Sequence, residues 1–239
     1  MEIRLQVYIA KCGICSRRKA EELINSGHVS INDKIVTQMG VKVGKNDIVK
    51  VDGKIIKFEE LIYLAMNKPS GYVTTLSDPE GRKIITDLLL EEEKEFRLFP
   101  VGRLDYDTEG VIILTNDGNL SQKLTASNSN IEKEYLARVD GKVLEYELKK
   151  LTKGLKIDDY VTKPCKAYLE QYDKKSDSSL LRIIITEGKN HQVKKMCLAI
   201  GHEVKHLSRI RFANITTKNI GKGYYRYLKP HEVKQLYNL

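Results

Sequence analysis

Two apolar runs, Leu98-Phe99-Pro100-Val101 and Val111-Ile112-Ile113-Leu114, bracket the segment Gly102-Arg-Leu-Asp-Tyr-Asp-Thr-Glu-Gly110. Short runs of this kind are strand material, and a buried strand requires a packed sheet around it. The second run ends in the turn signal Thr115-Asn-Asp-Gly118. A charged segment in this position is either an ordinary hairpin loop or an active-site loop held by rigid neighbours. The local pattern leaves both open.

The remaining elements set the fold class. Strand patterns are expected at 61–66, 72–75, 135–139, 180–186 and 206–212, and helices at 84–93, 118–125, 144–150 and 190–200, the last stopped by Gly201. Strands interrupted by a few helices, without regular βαβ alternation, predict an α+β fold on a mainly antiparallel sheet. Phe58-Glu-Glu60 is the natural boundary, which predicts a small α/β module over 1–60 and a larger domain over 61–239.

The small module has its own logic. Residues 4–13 form an amphipathic helix stopped by glycine, and Ser16 N-caps a second helix ending before Gly27. The first turn of that second helix is Arg17-Arg18-Lys19. Cations there oppose the helix dipole, so they make sense if a phosphate sits at the exposed N–H groups; otherwise they are a solvated face. Short strand-like pieces follow at 28–31, 34–36 and 47–51. Residues 1–58 carry 11 Lys or Arg against 6 Asp or Glu. Arg4-Leu…Cys15-Ser-Arg-Arg-Lys-Ala-Glu-Glu-Leu-Ile24…Gly27-His-Val…Ile31-Asn-Asp-Lys34 resembles the RNA-binding module first named from ribosomal small-subunit protein four. The resemblance covers roughly residues 2–50 and implies a structured-RNA partner.

The whole-chain charge agrees: a net +9 and a pI near 9.2 point to a polyanion, nucleic acid before membrane. No long apolar run or signal peptide is present, so a soluble, cytoplasmic protein is expected. Cys12-Gly-Ile-Cys15 has zinc or redox spacing, but no second pair accompanies it. Thiols on the buried side of a short helix are the expected reading.

A second charged cluster, Glu187-Gly-Lys-Asn-His-Gln-Val-Lys-Lys-Met196, opens a stretch from 189 to 211 with six Lys or Arg and one acid, Glu203. By composition it is equally a basic surface helix and a site. Together with Asn67-Lys-Pro-Ser-Gly71, the segment 100–110 with Thr115-Asn-Asp-Gly118, and Glu132-Lys-Glu-Tyr135, it resembles the pseudouridine synthases. The nearest branch modifies ribosomal RNA and carries the same N-terminal module. The resemblance spans essentially the whole chain, in the family's motif order.

The resemblance implies a catalytic aspartate at Asp105, an active-site tyrosine at Tyr135 and a cationic partner at Lys194. Several branches have arginine at that third position, and lysine cannot form arginine's planar two-point pair. Asp107 is expected to structure the loop. RNA contacts are expected from Arg17, Arg18, Lys19, Arg103, Lys189, Asn190, Gln192 and Lys195. The implied reaction detaches uracil from ribose, turns it and rejoins it through carbon 5, without metal or cofactor. A carboxylate attacks the sugar's anomeric carbon or uracil carbon 6, or abstracts a ribose proton. A cation within ~4–6 Å keeps that carboxylate ionised inside a closed pocket. Ribosomal RNA is the expected partner, large-subunit before small-subunit, and a monomer the expected state. Two competing readings are a non-catalytic RNA-binding or ribosome-assembly factor with this fold, and a hydrolase using Asp105 and Asp107 as a carboxylate pair.

Overall fold

In the computed structural model, which describes residues 2–239, the chain divides into two units. The smaller comprises Met1–Ile62, Leu90–Leu98 and Thr115–Gly118; the larger comprises Tyr63–Leu89, Phe99–Leu114 and Asn119–Leu239.

The smaller unit begins with two helices, Leu5–Lys11 and Arg17–Asn25. Ser16 caps the second, its hydroxyl accepting from the Lys19 N–H at 3.2 Å, and Gly27 turns the chain away at φ +76. The helices bury Leu5, Ile9, Ala20 and Ile24 against Val29, Val43 and Val49. An antiparallel sheet runs in the order Lys34–Ile35, Val29–Ile31, Val49–Val51, Lys54–Ile55. All four cysteines are free thiols. Burial, with Glu59 adding to it, pushes the Cys12 thiol up to about 12.

The larger unit is built on a mixed, mostly antiparallel sheet. The strand order is Lys166–Asp173, Ser178–Ile185, Lys133–Asp140, Val204–Phe212, Glu109–Thr115, Tyr63–Lys68, Tyr225–Tyr227. Strand Lys133–Asp140 is antiparallel to both of its neighbours. Val204–Phe212 meets Glu109–Thr115 in parallel, with Ser208 opposite Glu109 and Arg209 opposite Gly110. Every residue of Glu109–Thr115 is buried, as its apolar run requires. Val111, Ile113, Leu120, Leu124, Phe212 and Ile215 share one core.

Several elements differ from expectation. The helix expected over 84–93 is instead a 3-10 turn, Ile85–Leu88, and a one-turn helix, Glu91–Lys94. Leu89 and Leu90 between them are extended, and the chain passes there from the larger unit to the smaller. The expected strand at 72–75 reduces to one bridge, Val73 to Ile84, and the Thr74 hydroxyl in this segment donates to the Leu104 carbonyl of the loop at 102–110. Strand Lys166–Asp173, helix Pro230–Tyr237 and strand Tyr225–Tyr227 lack a distinct sequence signal. The first is a largely exposed edge strand with no apolar alternation. No helix among the described residues is long and apolar enough to cross a membrane.

Candidate active site

The segment 102–110 is held from beneath by a buried lysine. Lys68 ends strand Tyr63–Lys68 and is fully buried. Its Nζ donates to the carbonyl oxygens of Thr108 at 2.8 Å, Pro69 at 3.1 Å, Asp105 at 3.1 Å and Tyr106 at 3.3 Å. An ammonium has three protons, so four acceptors share them and the loop curls around one point. Burial lowers this amine to about 8, opposed by the charges of Asp107, Asp105 and Glu109.

Two further ties complete the loop. Thr74 Oγ1 donates to the Leu104 carbonyl at 2.7 Å and lies 3.3 Å from the Leu104 N–H; the Gly71 N–H donates to the Tyr106 carbonyl at 2.8 Å. Gly110 leaves the loop at φ +112, and a Cβ there would stand 2.1 Å from the Arg209 carbonyl oxygen. Only glycine lets the two central strands approach this closely.

The Asp105 carboxylate is about one-third exposed, at the edge of a cavity of about 500 Å³. Lys194 Nζ lies 3.6 Å and His191 Nδ1 3.5 Å from its Oδ2. Lys194 projects from helix Gln192–Ala199; His191 precedes it in the left-handed conformation, φ 51. Lys194 donates a hydrogen bond of 2.5 Å to Asp107, while its contact with Asp105 is an ion pair. Asp107 is therefore more than a loop-structuring residue: it shares the cation with Asp105. Burial acts to raise the Asp107 pKa, but the hydrogen bond and charge of Lys194 outweigh it and hold the carboxyl below its ordinary value.

Tyr135 stands on the central strand Lys133–Asp140, is 8% exposed, and lines the same cavity as Asp105. Arg103, Lys189 and Asn190 are exposed and also line it. Gln192, expected to contact RNA, is buried but also lines the cavity. Its amide accepts from the Lys189 N–H at 2.9 Å and donates to Glu187 at 2.6 Å, so it shapes the turn that carries Lys189 and Asn190. Lys195 is paired with Asp158 and does not line the cavity. Arg17, Arg18 and Lys19 are exposed in the smaller unit, with Lys19 paired to Glu22 at 2.7 Å.

The sequence reading missed His191, Lys68, Lys133 and Arg209. The first three lie inside motifs it quoted, but nothing in a linear pattern shows that Lys68 is buried or that Lys133 and Arg209 face a cavity. The assembled site offers a carboxylate flanked by two basic side chains, beside a cavity walled by a tyrosine. This suits a reaction that needs an ionised carboxylate against a planar ring.

Residues 62–199 match the family described as RNA pseudouridylate synthase, and residues 3–49 match the S4 domain. The chain is 43% identical over 233 residues to the ribosomal large subunit pseudouridine synthase B of Bacillus subtilis (strain 168), covering 98% of this chain and 95% of that protein. It is 39% identical to the dual-specificity RNA pseudouridine synthase RluF of Escherichia coli (strain K12), covering 99% of this chain and 79% of that one. A crystal structure of a pseudouridylate synthase superposes with a TM-score of 0.71 at 29% identity, covering 98% and 99% of the two chains.

Proposed function

This chain belongs to the RNA pseudouridylate synthase family, and from that premise we propose that it isomerises a uridine of ribosomal RNA to pseudouridine, large-subunit RNA before small. The observation that carries the reading is the placement of Asp105 beside Lys194 and His191, 3.5–3.6 Å away, on a cavity walled by Tyr135.

Asp105 acts as the essential carboxylate. Lys194, shared with Asp107, supplies the positive charge that favours its ionised form. The target uridine is flipped out of the folded RNA, and the Tyr135 ring lowers the cost of unstacking by facing the extruded base. The tyrosine hydroxyl handles the proton at carbon 5 after the ring rejoins the sugar. Arg103, exposed at the cavity, holds a phosphate or fills the vacated stack. Lys189 and Asn190 meet the backbone nearby. Residues 1–60 serve as the RNA-capturing module and 61–239 as the catalytic domain. The protein works as a cytoplasmic monomer.

Two measurements test this. Ribosomal RNA from cells lacking the protein should miss one or a few pseudouridines that its re-expression restores. Asp105→Asn should fail to restore them while binding the RNA as tightly as the wild type. Restoration by Asp105→Asn at the wild-type rate would remove Asp105 from the mechanism. An unchanged modification map would remove the isomerase reading itself.

A further inference from the structure

Arg209 occupies the middle of the sheet, with Tyr135 opposite it on one neighbouring strand and Gly110 on the other. Its side chain is 2% exposed and lines the cavity. Nε donates to the Val111 carbonyl at 2.9 Å, and the guanidinium carbon lies 5.1 Å from the centroid of the Phe212 ring. Nη2 has no hydrogen-bond partner among the described residues. Lys133 lines the same cavity from two residues before Tyr135. Its Nζ lies 5.9 Å from the same Phe212 ring and donates to the Ile131 carbonyl at 3.1 Å.

Neither cation forms an ion pair among the described residues. Glu187, whose charge reaches Lys133, is engaged by the Lys163 N–H at 2.9 Å and by Gln192 at 2.6 Å. Burial first, then the Arg209 charge, lowers the Lys133 amine to about 8. The buried Thr108 hydroxyl, also on the cavity, is likewise without a partner. Leaving a buried guanidinium donor unpaired is costly, and a bound group bearing negative charge would offset that cost.

We infer that Arg209, assisted by Lys133, stabilises the negative charge that the uracil ring acquires when its bond to ribose breaks. The inference rests on the isomerase reading. In the two routes that act on the sugar, the C1′–N1 bond breaks with its electron pair going to the ring, which spreads the charge over N1, O2 and O4. The deficit at C1′ is met by Asp105 bonding there, or by the C2′–H electrons as Asp105 takes that proton. The ring then returns a pair to form C5–C1′, as the Asp105–C1′ bond breaks back to the free carboxylate in the first route, or as Asp105 returns its proton to C2′ of the sugar alkene in the second. The proton then leaves C5, and N1 gains one. Arg209 moves no proton; it presents fixed positive charge and an N–H donor where charge develops. Tyr135 and Arg209, register partners on adjacent strands that both line the cavity, hold the detached ring while it turns.

The test uses full-length protein and an RNA whose target uridine has been located by mapping pseudouridines in cells with and without the protein. Removing one such donor costs about 10²- to 10³-fold in turnover. Arg209→Met should lose about that much single-turnover rate, with RNA affinity unchanged, and Arg209→Lys should recover part of it. Replacing O2 or O4 of that uridine by sulfur should slow the wild type, and at one of the two positions the Arg209→Met enzyme should show no added penalty. Wild-type rates in Arg209→Met, or full thio penalties at both positions, overturn the inference. If Arg209→Met does not fold, Lys133→Met decides: a rate drop of roughly tenfold at unchanged RNA affinity supports the inference, and an unchanged rate overturns it. Absence of pseudouridine formation by the wild type would instead sink the isomerase reading.

Discussion

Lys68 Nζ and the carbonyl oxygen of Thr108 meet at 2.8 Å across 40 residues of chain. Through that hydrogen bond, and three more to neighbouring carbonyls, the last side chain of a core strand fixes the backbone on which Asp105 stands. The loop's geometry is thus anchored in the sheet.

Lys68→Met fills nearly the same volume but removes every one of these hydrogen bonds. The carbonyls of Asp105 and Tyr106 keep other donors, from the Thr108 and Gly71 N–H groups, so the expected stability loss is moderate, about 1–3 kcal/mol by denaturant unfolding. Isomerisation should fall much further, because Asp105 loses its registration.

The same lysine sets a pH dependence. Its folded pKa of about 8 lies below its unfolded value near 10.4, so between those limits the unfolded chain binds more protons. The destabilisation from burying the charge is full below pH 8 and is relieved as pH rises toward 10. Wild-type stability should therefore gain up to roughly 3 kcal/mol over that window relative to Lys68→Met. Parallel stability curves for the two proteins would contradict this.

Gly110→Ala places a methyl 2.1 Å from the Arg209 carbonyl oxygen at a φ of +112. The strands cannot separate without breaking the parallel pairing at the centre of this sheet. A loss of at least about 4 kcal/mol is expected, visible as a large fall in melting temperature or a failure to fold.

Lys194 is shared unequally, 2.5 Å from Asp107 and 3.6 Å from Asp105. Asp107→Asn should leave the cation to Asp105 and change turnover by less than about tenfold. Lys194→Met should cost about 10²-fold in turnover, since Asp105 then loses the cation 3.6 Å from its carboxylate. Equal losses in the two variants would place Asp107 inside the chemistry.

Replacing Arg17, Arg18 and Lys19 together by Gln tests the basic helix start. RNA affinity should fall, and the slope of log affinity against log salt should flatten by up to about 3, near one for each phosphate no longer neutralised. Single-turnover rate at saturating protein should stay near the wild type. An unaltered salt slope would take the helix start out of RNA binding.

What the sequence determined by itself was the set of local structures and the order of the motifs. The Ser16 cap, the glycine stop at Gly27, and the buried strand after Gly110 follow from neighbouring residues alone, because caps, turns and apolar runs are short-range matters. The four ordered motifs identified the family for the same reason: they are contiguous strings. Only the tertiary structure decided which charges work together. Lys68, Lys133, Asp105, Lys194 and Arg209 are all ordinary charged residues in one dimension. Burial makes two of the lysines weak bases and leaves one arginine donor without a partner, and burial depends on which strands the sheet makes adjacent. The parallel pairing of Gly110 with Arg209 joins segments about a hundred residues apart, and no local pattern encodes it. For the loop at 102–110, the chemistry was legible in its letters; the groups that support it were supplied by the fold.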